Sequence, residues 1–571
     1  MSAAPAKAGS PVTGRPVPAE RTGARTAAAL GPVILAAATM AALGLWGLSR
    51  DSAMGNDESA THWAALLSLP QLGHLLAHID AAHGLYYLLM HGWAVLGASP
   101  TIMRIPSVLA MTAAVALTVI LGRRLTGSGW AGLLAGLIVA LTPAISYYAQ
   151  TARSYALVFA CVVGATLALL HAMAAEEGGA ARATGAVIGR RWLVYGALVT
   201  LAGYLNELSL LVLAAHAVTI LLARYGRRAV AHWAVAAAAA AVAVAPVVVI
   251  SGRETGAVSW IPRPTTATLM LLFHDYFGVA AVVSVLIIGC AVVAVLPPLG
   301  ARRGGPATAS AGPPGGAGAD TASAAPPPGA GLAWWRHGGF SAPSVAAPLL
   351  VVPAVGLILE SLVARPFYVD RYVLYGEVGA ALLAAAGACR VGQWLAARWL
   401  ARQWLAARRL ADPERRRALV WVPGVVVCLC ALLLQLGPQQ FVRTPDSRLF
   451  NFGGPARYVA GHARQGDGVL FLGAFYRTVR LGYPRDFRKT SDFALAVSPA
   501  KSGTFQGIDQ PFKVARLLML QQRRIWVVGK SPAAALPAGL MRDEGRVLRN
   551  RYSRIAARRF HGVVVTLWLR R

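Results

Sequence analysis

The sequence predicts an all-α polytopic membrane protein that carries a small α/β domain at its C-terminal end. Three observations predict it. Of 571 residues, 56% are hydrophobic and only 13% charged, with a mean hydropathy of +0.54, whereas a soluble chain carries about 25% charged residues. Apolar runs of spanning length recur from residue 28 to residue 437, each near the ~20 residues a bilayer-crossing helix needs. Beyond 438 the pattern changes to short β-branched and aromatic runs separated by helical ones.

The opening segment 1–27 is basic and rich in Pro, Ala and Gly, and is expected as a disordered cytoplasmic tail. The apolar run after it is too long and too poorly flanked for a cleaved signal. Eleven candidate spans follow, near 28–49, 102–122, 128–147, 153–174, 191–207, 208–223, 229–250, 278–297, 344–363, 372–390 and 419–437. The polar stretch LNELS at 205–209 divides one long run into two of these. The stretch 84–98, GLYYLLMHGWAVLGA, is apolar but short. As a helix it reaches about 22 Å, less than a ~30 Å hydrocarbon core. It is expected at the interface, where Tyr86, Tyr87 and Trp93 suit the headgroup level.

The distribution of arginine supports that choice. With the tail inside and 84–98 not crossing, GRRLTG (122–127), 176–191, ARYGRR (223–228), ARRGG (301–305) and 390–417 all fall on the cytoplasmic side, as the positive-inside bias requires. The outer face then holds the loop 50–101, the turns at 148–153 and 206–208, the segments 251–277 and 364–371, and everything after 438. In so apolar a chain the first explanation of the formal net charge of +31 is cytoplasmic loops rich in Lys and Arg, so no nucleic-acid partner is expected. All five cysteines lie in or beside apolar runs, which indicates no disulfide framework.

Residues 298–340 are rich in Pro, Gly and Ala and are expected as a flexible cytoplasmic linker. Residues 390–417 alternate Trp and Leu with Arg, which predicts an amphipathic helix lying on an anionic inner leaflet. In 438–571, GVLFLG, RIWVVG and VVVTLWL read as strands, and GGPARYVAGHAR and FKVARLLMLQQ as helices. This extracytoplasmic domain carries 24 Lys and Arg against 7 Asp and Glu. That excess suits anionic lipid or cell-wall phosphate partners; solubility explains it equally well.

The outer loops concentrate ionisable residues. The first holds Asp57, Glu58, His62, His78, Asp80 and His83; the next turns hold Gln150, Arg153, Tyr155 and Glu207; a late segment holds Arg371 and Tyr372. Ionisable groups gathered on one membrane face mark a functional site. An acid poised beside an acceptor acts as general base, and arginines at headgroup level hold a lipid-linked phosphate. The pattern therefore suits group transfer from a lipid phosphate to a hydroxyl. The bland alternatives are that Asp57 and Glu58 cap a helix and that Arg371 only snorkels. The spacing H-x-D-x-x-H at 78–83 is not a standard zinc arrangement, so no metal and no other cofactor is assigned.

An acidic pair after the first span, then HIDAAHGLYYLLMHGW, MRIPSVLA, GRRLTG and PAISYYAQTARSYAL, resembles the membrane glycosyltransferases of the GT-C superfamily. The likeness is to the protein O-mannosyltransferase and aminoarabinose-transferase type, in its actinobacterial mannosyltransferase form. It covers about 28–250 and extends through RYVLYGEVGAALLAA to about 390. The resemblance implies transfer of a mannose-like sugar from a polyprenyl-phosphate donor, outside the membrane and with inversion, to a protein, glycan or lipid acceptor. It implies that Asp57 is the catalytic aspartate and that Glu58 is the acid beside it, which orients the site or acceptor. It also places Arg104, Gln150, Arg153, Tyr155, Arg371 and Tyr372 at the donor lipid phosphate and substrate. His78, Asp80, His83 and Glu207 then support the acceptor. One position departs from the pattern. The family often has an acid before the Ala-Arg pair, and this chain has Thr151; if that acid serves a metal or acceptor, the task here moves to Asp80 or Glu207. A transporter or flippase is the rival class, but no repeated halves are visible and the charges lie at one face. A non-catalytic scaffold of the same fold, or a receptor built on the basic domain, is the third reading.

Overall fold

The computed structural model describes residues 19–49, 53–177, 185–254, 261–296, 339–406, 413–530 and 542–571. Every predicted span has a helical counterpart. Among the described residues, five helices are long and apolar enough to cross a membrane alone: Pro100–Thr126, Tyr155–Glu176, Arg227–Ser251, Ala342–Val363 and Asp370–Trp399. The number rises to seven if each of two bent pairs counts as one span. Local chemistry sets the boundaries. Ser99 accepts from the Ile102 amide and Pro100 opens the helix, while Gly127 ends it in the left-handed region at φ 68°.

The bent pairs depart from the expected straight spans. Gly129–Leu141 and Pro143–Ala149 meet at 69°, because Pro143 has no amide to continue the ladder and starts a new helix instead. Thr266–Phe277 and Ala281–Val295 meet at 74°, around Gly278 at φ 90°. The first of these lies in a segment expected as loop. Thr265 and Thr268 bond reciprocally and start it as a helix.

Two further expectations meet a different outcome. The first helix begins at Ala19, inside the segment expected as tail; residues 1–18 lie outside the described residues. The Arg-rich stretch after 390 is no separate helix. It continues the helix Glu377–Ala406, whose Arg398 guanidinium stacks 4.7 Å over Trp394, while 407–412 lie outside the described residues. The linker 298–338 lies outside them too. Helices approach closely where side chains are small: a Cβ at Gly387 would strike the Cys290 carbonyl, the packing device of membrane bundles.

The stretch 84–98 forms a ten-residue helix, Gly84–Trp93, and one turn of 3-10 helix. Leu88, Leu89, Val95 and Leu96 are exposed along it.

The C-terminal domain has seven strands: β1 Asp467–Phe471, β2 Thr490–Asp492, β3 Leu495–Val497, β4 Ile508–Asp509, β5 Arg524–Gly529, β6 Tyr552–Phe560 and β7 Val563–Arg570. The main sheet runs β2-β1-β5-β7-β6, with β1 parallel to β2 and β5, and β7 antiparallel to β5 and β6. Val469, Phe471, Trp526 and Val528 face the helix Gly453–His462; Leu470, Ile525 and Val527 face the helices Phe512–Gln521 and Arg542–Arg551. Burial on both faces explains why β1 and β5 read as unbroken apolar runs. Edge strand β6 was not legible, because arginines occupy its exposed positions.

Candidate active site

The domain rests on the segment that follows the first helix, at Met54, Trp63 and His74. Tyr483 Oη accepts from the Met54 amide at 2.6 Å, Phe505 packs edge-on against Trp63 at 5.7 Å, and His74 Nε2 lies 3.2 Å from the Lys501 carbonyl. Between domain and spans lies the helix Asn56–Ala65, with Asp57 and Glu58 in its first turn. Neither acid caps it: the cap is Gly55, with no side-chain bond. Helix geometry turns consecutive residues about 100° apart, and so the two carboxylates point to different partners.

Glu58 points inward. It is 2% exposed, takes Nε and Nη2 of Arg104 at 2.8 Å each, and accepts from the Ala152 amide at 3.0 Å. Burial raises its carboxyl, but Arg104 and Arg448 outweigh that and hold it at about 2. Arg104 also donates to the Ala53 carbonyl at 2.8 Å. This pair ties the outer loop to the helix Pro100–Thr126 and to the 150–153 turn.

Asp57 points outward. Its side chain is 37% exposed and lies 3.5 Å from Arg371 Nη2. Arg371 donates to Tyr155 Oη at 2.9 Å and lies over the rings of Tyr155 and Tyr372 at 5.7 and 5.6 Å. Burial raises the Asp57 carboxyl, yet Arg153 and then Arg371 pull it below its ordinary value. The structure thus brings Asp57, Arg153, Tyr155, Arg371 and Tyr372 together in one cluster.

Other candidates do different work. Gln150 donates to the carbonyls of Leu43, Gly44 and Trp46 at 3.3, 2.9 and 2.8 Å, satisfying the end of the first helix. Asp80 accepts from the hydroxyl of Tyr87 and, at 3.1 Å, from His83 Nδ1. Burial raises the Asp80 carboxyl, but the hydrogen bond from His83 and the charge of Arg153 hold it well below the usual carboxylate range. His78 stays apart, its Nδ1 on the His74 carbonyl at 2.8 Å. Glu207 accepts from Ser251 Oγ at 2.5 Å. Among the described residues no three His, Cys, Asp or Glu side chains converge on a point that could hold a metal.

Two groups escaped sequence reasoning. Arg448, 4% exposed, donates to Thr151 Oγ1 at 2.7 Å and to the Gln150 carbonyl at 2.8 Å, and stacks 4.6 Å over Tyr147. The position where the resemblance expects an acid is therefore filled by a hydroxyl and an arginine from the far end of the chain. The available signal was the pair Arg443 and Arg448 directly after the last apolar run. The other is Asp370, which accepts from Tyr148 Oη at 3.1 Å.

No family model and no curated protein sequence matches the chain. Solved structures do. ArnT from Cupriavidus metallidurans in the apo state aligns over 95% of this chain and 98% of its own, at 13% identity and a TM-score of 0.53. The same protein bound to undecaprenyl phosphate aligns over 94% and 98%, at 14% identity and a TM-score of 0.52. The archaeal oligosaccharyltransferase AglB from Archaeoglobus fulgidus aligns more loosely, over 88% of this chain and 69% of its own, at 11% identity and a TM-score of 0.46. Across nearly its whole length, the chain has the fold of ArnT.

Proposed function

We propose that this protein is a membrane glycosyltransferase. It moves a mannose-like sugar from a polyprenyl-phosphate donor to an acceptor hydroxyl on the extracytoplasmic face, with inversion. The observation that carries the reading is the Asp57–Arg371 pair, a carboxylate and a guanidinium 3.5 Å apart, with the Asp57 side chain 37% exposed. The complex of ArnT with undecaprenyl phosphate supports it, since that protein shares the fold and takes a lipid phosphate.

In the reaction, Asp57 takes the proton of the acceptor hydroxyl. The freed oxygen attacks the anomeric carbon, the bond from that carbon to the phosphate oxygen breaks, and the lipid phosphate leaves with the electron pair. A single displacement inverts the anomeric centre. Arg371, held by Tyr155 and flanked by Tyr372, stabilises the growing phosphate charge, with Arg153 behind it. The donor phosphate also offsets the arginines that depress Asp57, so donor binding makes Asp57 the better base. Glu58 and Arg104 are positioning residues. The phosphate is itself the leaving group, and no nucleotide is needed.

The tail is cytoplasmic in this reading, all eleven helical segments cross, and the helix Gly84–Trp93 does not. Ser52→Cys and Thr101→Cys are then both labelled from outside by an impermeant thiol reagent. Labelling of only the first means that 84–98 crosses, and it overturns every later loop assignment.

The basic domain steers an anionic acceptor or lipid toward the site. Arg485, Arg488 and Lys489 are exposed on it, as are Arg554, Arg558 and Arg559. Steering reaches a Debye length of about 8–10 Å at physiological salt. Reversing either cluster is expected to raise the acceptor KM and flatten its salt dependence while kcat stays unchanged. Unchanged kinetics across a salt titration leave the charge to solubility alone.

Purified protein assayed with polyprenyl-phosphate-mannose and a panel of protein, glycan and lipid acceptors tests the reading. Transfer with inversion supports it. Transport of the lipid without transfer favours the flippase class.

A further inference from the structure

We infer that Asp80, His83 and Tyr87 close a hydrogen-bonded ring with Arg153 that positions this arginine behind Asp57, and that the ring holds only while His83 is neutral. The inference rests on the reading of Asp57 as base.

The ring is set by which atoms can donate. Asp80 as a carboxylate can only accept, so both the Tyr87 hydroxyl and His83 Nδ1, 3.1 Å away, donate to it. The single Tyr87 proton is thereby committed. Its oxygen accepts from Arg153 Nη1 at 3.1 Å. Arginine has no acceptor, so Arg153 Nη2, 3.1 Å from His83 Nε2, donates to it, and that nitrogen must carry a free lone pair. Asp80 is thus the double acceptor, Arg153 the double donor, and His83 the neutral tautomer with its proton on Nδ1.

The ring is braced from outside. Asp80 sits in the left-handed region at φ 66°, a conformation that non-glycine residues avoid. The Glu254 carboxylate accepts from its amide at 2.6 Å and from the Ala81 amide at 3.2 Å, which fixes the turn from a separate outer loop. Arg153 is 6% exposed, so its guanidinium has little water to replace a lost partner.

A second proton on His83 would fill Nε2 and turn an N–H toward the guanidinium. The groups around His83 come from every neighbouring element: Asp80 and Tyr87 from its own turn and helix, Arg153 from the 150–153 turn, Asp57 from the helix Asn56–Ala65, and Glu207 and Glu254 from the outer turns. The acids tolerate the added charge, but Arg153 cannot keep its bond. The charge on a protonated His83 is among the causes that lower the Asp57 carboxyl, weakening it as a base. Protonation of His83 therefore costs transfer independently of any protonation of Asp57. Asp80, His83 and Tyr87 are positioning residues.

The test is the pH profile of kcat/KM for wild type, His83→Gln and Tyr87→Phe. A glutamine amide donates to Asp80 and accepts from Arg153 without titrating. Wild type should show an acid limb; His83→Gln should stay active and shift the limb toward acid by at least about one pH unit, 1.36 kcal/mol of differential interaction. Tyr87→Phe should keep the limb and lose roughly tenfold in kcat/KM, the worth of one hydrogen bond to a charged group. An unmoved limb in His83→Gln, or wild-type kinetics in Tyr87→Phe, overturns the ring. If wild type turns over no polyprenyl-phosphate sugar, the proposed function fails, and the ring is judged instead on binding of undecaprenyl phosphate across pH. The ligand's own second ionisation, near pH 6, is common to all variants. Binding that weakens in acid less for His83→Gln than for wild type supports the ring; identical curves overturn it.

Discussion

Asp57→Asn is expected to lower the transfer rate by a factor on the order of 10²–10⁴, the usual worth of a general base. The substitution keeps size and shape, and the half-open pair with Arg371 at 3.5 Å contributes little to stability, as exposed ion pairs do. Expression and thermal unfolding should therefore match wild type, and the loss should appear in kcat. Donor binding should hold or tighten, because removing the carboxylate leaves Arg371 to the phosphate alone. Turnover near wild type would return Asp57 to a first-turn acid favoured only by the helix dipole.

Glu58→Ala is expected to do the opposite. It removes a buried carboxylate that pairs with both nitrogen ends of Arg104 and accepts from the Ala152 amide. Arg104 and Arg448, 2% and 4% exposed, then lose their shared counter-charge in a pocket that water does not reach. Breaking one partner out of a buried pair costs about 3–5 kcal/mol, a large share of a typical folding free energy. The expected result is a strong fall in unfolding temperature and in yield, with activity lost in proportion to folded protein. Glu58→Gln, which keeps an acceptor for the Ala152 amide, should fall between. Wild-type stability with transfer abolished would instead restore Glu58 as the residue that orients the acceptor.

These two outcomes separate neighbouring acids that look equivalent in the sequence. The string NDESATHW marks both as costly at the mouth of a span, and nothing local ranks them. The ranking comes from Arg104, 46 positions away, which takes one, and from Arg371, far later in the chain, which faces the other. The same holds for Thr151. Its loss of the acid expected there reads as a gap until Arg448, 297 positions on, is found against it.

The sequence by itself determined the membrane class, a helical counterpart for each apolar run, the short helix at 84–93, strands β1, β5 and β7, and the neighbourhood of the site. Those features are written in hydropathy, period and capping, each decided by residues a few positions apart. Only the tertiary structure decided the bends at Pro143 and Gly278, the run of one helix through 390, the edge strand β6, and the assignment of each arginine to its acid. An ion pair or hydrogen bond depends on the distance between groups that chain packing brings together, and the sequence separation of the partners carries no information about that distance. Composition could therefore place acids and arginines on one face, while packing alone left Asp57 open and sealed Glu58.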